Sequence, residues 1–99
     1  MANPSYKVEL LLFLLYTSTQ NITLRKTVVL PFVPFKKLWI QLSTDEEDDS
    51  SMVFVKHIEY NTILNSITVI CDDIEYNNKE NAEKGSLYYI NTLGFTRTK

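Results

Sequence analysis

Residues 8–16, VELLLFLLY, are the stretch that most limits how this chain can fold. In an extended strand, Val8, Leu10, Leu12, Leu14 and Tyr16 share one face, and Leu11, Phe13 and Leu15 share the other. A strand that is apolar on both faces is expected either at the centre of a sheet or buried against something on each side. Periodicity alone also admits a helix for the same residues. The run is too short to cross a bilayer as a helix, which takes about 20 apolar residues. Lys7 ahead of it would suit a secretory signal. However, Glu9 interrupts the run, and Thr17, Ser18, Thr19 and Gln20 stand where a small-residue cleavage site would follow. No membrane partner is expected, and the cytoplasm is the expected compartment.

The rest of the chain has the composition of a sheet. Ile, Val and Thr total 25 of 99 residues, whereas alanine, the best helix former, occurs twice. Residues 22–30 alternate, with Ile22, Leu24, Lys26, Val28 and Leu30 against Thr23, Arg25, Thr27 and Val29. This pattern predicts the hairpin partner of residues 6–17. Pro31 and Pro34 then break the ladder and predict an extended corner carrying Phe32, Val33 and Phe35. Further strands are expected at 38–42, 52–60 and 67–72. In the first of these, Leu38, Ile40 and Leu42 face the core and Trp39 and Gln41 lie opposite. Ile63 and Leu64 fall at the tip between the last two strands, where they either fold back or mark a contact.

Near the C-terminus the period changes. Leu87, Ile90 and Leu93 recur every third residue, Ser86 suits an N-cap and Gly94 a C′ position. A short helix is expected within 81–93, with Gly85 opposing a longer one; a last strand at 87–90 is the competing reading. Residues 95–99 read as an extended tail. The predicted fold is α+β and mainly β: a single antiparallel sheet of about five strands, or a small sandwich or half-barrel, with one short C-terminal helix. Residues 1–99 make a single small domain with an acidic loop at 43–51.

Several chemistries are excluded by residue supply. One cysteine and one histidine cannot build a disulfide framework or a Cys/His zinc cage, and two glycines cannot build a glycine-rich phosphate loop. His57 could serve as a general base oriented by Glu59, on a strand face shared with Val53 and Val55. No serine or threonine stands out as its nucleophile. Cys71 reads as a small buried hydrophobe, with Asp72 and Asp73 beside it opposing a thiolate. The acidic run has Ser50 and Lys56 where a calcium loop starting at Asp45 would need Gly and Glu. The cluster of Asp72, Asp73 and Glu75 could join that run only if the fold unites them. No catalytic residue, metal, cofactor or small-molecule ligand is therefore inferred. The segment 89–95 resembles the helix-then-LGF ending of acetyltransferases over seven residues. The glycine-bearing acyl-CoA loop of that family has no counterpart here, so no site residue follows from the resemblance.

What remains is recognition. The net charge is −2, yet Asp45, Glu46, Glu47, Asp48 and Asp49 alone carry −5, so the remaining chain carries +3. These five acids would form an arm toward a basic partner. Together with Phe32, Phe35 and Trp39 they are the candidate partner-binding residues. The expected function is a small non-enzymatic interaction or assembly module of the inhibitor, immunity or accessory type. Its partner is another protein or a second copy. One alternative is a single-stranded nucleic-acid binder in which Arg25, Lys26, Lys36 and Lys37 converge on one face. A second is a small enzyme using His57.

Overall fold

The computed structural model describes residues 5–42 and 52–98. Seven strands and one helix follow in the order β1 (Tyr6–Leu15), β2 (Asn21–Leu30), β3 (Trp39–Gln41), β4 (Met52–Asn61), β5 (Ser66–Cys71), β6 (Ile74–Glu75), α1 (Lys79–Leu93) and β7 (Thr96–Arg97). The strands form a curled, open half-barrel sheet in the order β3-β4-β5-β1-β2-β7, and β6 pairs with β1 beyond the end of β5. The α+β, mainly β expectation holds. The acidic run at 45–49 lies outside the described residues.

The two-faced segment is the central strand. β1 pairs antiparallel with β2 along its whole length, from Tyr6↔Leu30 to Leu15↔Asn21. Its other side takes β5, Val8↔Ile67 through Leu11↔Ile70, and then β6. Both of these pairings are parallel, so the sheet is mixed rather than antiparallel throughout. The reason is topological. β3 and β4 lie at the far rim, and the chain re-enters the sheet through β5 beside β1 instead of extending the β1–β2 hairpin.

One face of the sheet holds the core. Val8, Leu10, Leu12 and Leu14 from β1, Ile22 and Leu24 from β2, Val69 and Cys71 from β5 and Val55 from β4 are almost wholly buried. Each large aliphatic side chain removed from water here contributes about 1.5–3 kcal/mol. Against β1 and β2 packs α1, which buries Ala82, Ser86, Tyr89 and Leu93 at helical spacing, with Phe95 closing the end.

The helix begins earlier than its sequence suggests. Asn78 is the N-cap, its side chain accepting from the Asn81 N–H at 2.8 Å. Ser86 is not a cap; it sits buried inside the helix, where its Oγ donates to the Glu83 carbonyl at 2.7 Å. Gly85 is tolerated because the Tyr76 ring lies where its side chain would be: a Cβ there would come within 2.6 Å of Tyr76 Cζ. Gly94 ends the helix in the left-handed region at φ 79°, as expected of a C′ residue. The tail after it joins the sheet as β7, with Leu24↔Arg97 and Arg25↔Thr96 in register.

Candidate functional site

The outer face of the sheet has no second layer among the described residues. Leu11, Phe13 and Leu15 of β1 and Ile70 of β5 lie half-buried on it. Polar side chains stand around them, and Glu9 meets Arg25 across the β1–β2 ladder at 2.8 Å. At the rim, Trp39 and Phe54 are directly opposed on β3 and β4, with ring centroids 5.0 Å apart. Trp39 is still 57% exposed, so it stands on the outer face rather than in the core.

The proline corner places its apolar side chains outward. Phe32, Val33 and Phe35 are 41%, 54% and 56% exposed, while Pro34 is buried. Lys37 follows at φ 70°, and its N–H donates to the Val55 carbonyl at 2.9 Å, which anchors the corner beside β4. Restricted φ and missing amide donors keep this segment extended and outside the ladder.

The β4–β5 turn supplies a second exposed apolar group. Asn61 Oδ1 accepts the N–H groups of Ile63 and Leu64, each at 3.0 Å, and Asn65 adopts φ 51°. This side-chain-capped turn presents Ile63, 92% exposed, and Leu64, 72% exposed. It ends at the edge of the sheet to which the proline corner also returns. Val33 and Tyr60 line one concavity with Tyr6 and Ile67. Tyr60, Ile63 and Leu64 line the next, together with Leu11 and Arg25. Composition drew attention to the prolines and phenylalanines. Ile63 and Leu64, expected at this tip either to fold back or to mark a contact, do not fold back but stand exposed.

The structure does not bring together the four basic residues. Arg25 is on the outer face with Glu9, and Lys26 is on the helix face, where its Nζ donates to the Leu93 carbonyl. Lys36 and Lys37 belong to the corner beside β4.

His57 is displaced from its expected face. A bulge between Val55 and His57 shifts the register, so that Val53 and Val55 point into the core while His57 pairs with Ile70 on the outer side. It still shares a face with Glu59, whose Oε1 lies 3.8 Å from His57 Nε2, and both side chains are about half exposed or more. Neither concavity at the corner and turn includes His57. Cys71 is buried, and its thiol is pushed up to about 12 by loss of hydration rather than by the neighbouring carboxylates. Asp73 is engaged by Lys56 at 3.5 Å. Among the described residues, no three His, Cys, Asp or Glu side chains gather as metal ligands, and no helix is long and apolar enough to cross a membrane.

Comparison with family models, with curated proteins and with solved structures gives no match.

Proposed function

We propose that this chain is a small, non-enzymatic protein-interaction module acting in the cytoplasm. Its binding surface is the end of the sheet where the proline corner meets the β4–β5 turn. The observation that carries this reading is the shared position of Val33 and Tyr60 in one concavity and of Tyr60, Ile63 and Leu64 in the next. Two segments far apart in sequence thereby expose large apolar side chains side by side. Keeping such side chains in water is unfavourable, and their burial against a partner would recover about 25 cal/mol per Å² before the costs of association. Each of them is held by a rigid local device, prolines in one case and the Asn61 cap in the other, so little ordering is left for binding. The five acids at 45–49, together with exposed Trp39, suit a partner with a basic rim.

The test is quantitative affinity purification from native cells with three proteins: wild type, a Val33→Ser/Ile63→Ser/Leu64→Ser variant, and a variant with Trp39→Ala and Ser at 45–49. The first variant loses the co-purifying partner and the second weakens its capture, while both keep the wild-type circular dichroism spectrum. Recovery of the same proteins in the same ratios by all three would overturn the proposal.

A further inference from the structure

β2 is paired on both sides for only part of its length. On its outer side, β7 reaches Leu24 and Arg25, and the Thr98 N–H donates to the Thr23 carbonyl at 2.9 Å. That bond fixes which residues of β2 turn their main-chain groups away from β1. In an antiparallel ladder these alternate, so Thr23, Arg25, Thr27 and Val29 point outward. Among the described residues, no strand covers Thr27 and Val29 on that side. Both side chains are exposed, Val29 by 66%. Soluble proteins ordinarily protect such an edge with an outward charge, a bulge or a proline. Here the one charged residue of 26–30 is Lys26, and it is turned onto the helix face and held by the Leu93 carbonyl.

We propose that this edge pairs with the same edge of a second copy of the chain, about a two-fold axis at Val28. The edge is complementary to itself in one register. Thr27 of each copy stands opposite Val29 of the other, and each such pair exchanges both main-chain hydrogen bonds. All the outward donors and acceptors of the open stretch are then used. Shifting the register so that Thr27 meets Thr27 brings Val29 opposite Arg25, whose outer side β7 already occupies. Shifting it the other way brings Thr27 opposite Pro31, which has no N–H. In the proposed register Lys26 faces Leu30, Val28 faces Val28, no like charges are opposed, and the ladder stops at Leu30, where β2 ends, short of Pro31 and the β7-covered Arg25. The result is an isologous contact that joins two half-barrels into one continuous sheet. It uses the outward main-chain groups of β2, whereas the partner surface proposed above uses exposed apolar side chains; the two adjoin, since Thr27 and Leu64 line one concavity.

The register gives a specific test. Val28 faces its own counterpart as a non-hydrogen-bonded pair, with Cα atoms about 4.5 Å apart, which a disulfide can span. Under mild oxidation, Val28→Cys gives a covalent dimer on a non-reducing gel. Val29→Cys, which faces Thr27, and the wild type, whose Cys71 is buried, do not. In parallel, sedimentation velocity from micromolar to millimolar concentration shows a monomer–dimer equilibrium for the wild type. Thr27→Pro removes an outward N–H that β1 does not use, and it weakens association at least about tenfold. Val29→Lys, which cannot be lost to a backbone change, does the same. A wild type that stays monomeric throughout, or dimers that persist in both variants with no Val28→Cys crosslink, would overturn the proposal.

Discussion

Lys26 of β2 donates from its ammonium group to the main-chain carbonyl of Leu93, the last residue of α1. The helix has no basic residue in its own last turn, so a strand supplies the cation that its C-terminal carbonyls favour. The same amine approaches within 2.9 Å of where a Cβ on Gly94 would lie. Lys26→Met keeps the aliphatic stem and removes the charge. It is expected to destabilise the fold by about 1–2 kcal/mol in urea titrations, the range for a hydrogen bond from a charged donor with a helix-terminus contribution.

Gly85→Ala runs against helix propensity. In an open helix this change stabilises by about 1 kcal/mol. Here the added methyl meets the Tyr76 ring, so the variant has a lower thermal midpoint than wild type. In a Tyr76→Ala background the obstruction is gone, and Gly85→Ala raises the midpoint. A double-mutant cycle therefore changes sign, and equal effects in both backgrounds would contradict the packing described.

Arg97 of β7 grips Glu83 of α1 through two hydrogen bonds, at 2.8 and 3.2 Å. The hydrogen bond from Arg97, with its charge, holds the Glu83 carboxyl below its ordinary value of 4.5. A carboxyl lowered on folding adds stability that is present above its unfolded value and lost as pH falls through the folded one. Wild type accordingly loses stability more steeply than Glu83→Gln as pH drops from about 5 toward 3. Denaturant midpoints measured across that interval check the difference.

Cys71 is buried in β5, and its thiol is raised from 9.0 to about 12 by desolvation. It therefore stays unreactive toward thiol reagents at pH 8 in the native protein, and labelling follows the rate of unfolding. A group raised on folding lowers stability once the unfolded form ionises. The native state thus weakens as pH rises from 9.0 toward 12, and Cys71→Ser lacks that component.

The strands were legible because the alternation at 22–30 and the two-faced run at 8–16 left few alternatives. What was not legible came from long-range geometry. Nothing in residues 66–71 announces that they will lie parallel to β1, since both a parallel and an antiparallel neighbour bury the same side chains. The bulge before His57 inverts inside and outside for the second half of β4, and a strict period of two cannot register an extra residue. Gly85 looked like a helix boundary because its reason for being glycine is Tyr76, on a different element. Phe32, Phe35 and Trp39 stood out in the sequence and are exposed, yet none of them lines the two concavities, and Trp39 lies near the end of β4 opposite to the β4–β5 turn. Ile63 and Leu64 were legible as a contact at the turn, but their place beside the proline corner comes only from the chain folding that brings Val33 and Tyr60 to the same end.

The parallel pairing of Val8 with Ile67 joins residues separated by about sixty positions. On a ribosome, the β1–β2 hairpin emerges before β5 and can zip locally, but the free side of its most apolar strand must wait until β5 has been synthesised. Closing so long a loop is entropically slow compared with forming a hairpin. During that interval β1 has a neighbour on one side only, and Val8, Leu10, Leu12 and Leu14, buried in the finished fold, are still uncovered, a state prone to aggregate. The strand that gives the native sheet its centre is thus also the one that must wait for a distant segment to complete its pairing.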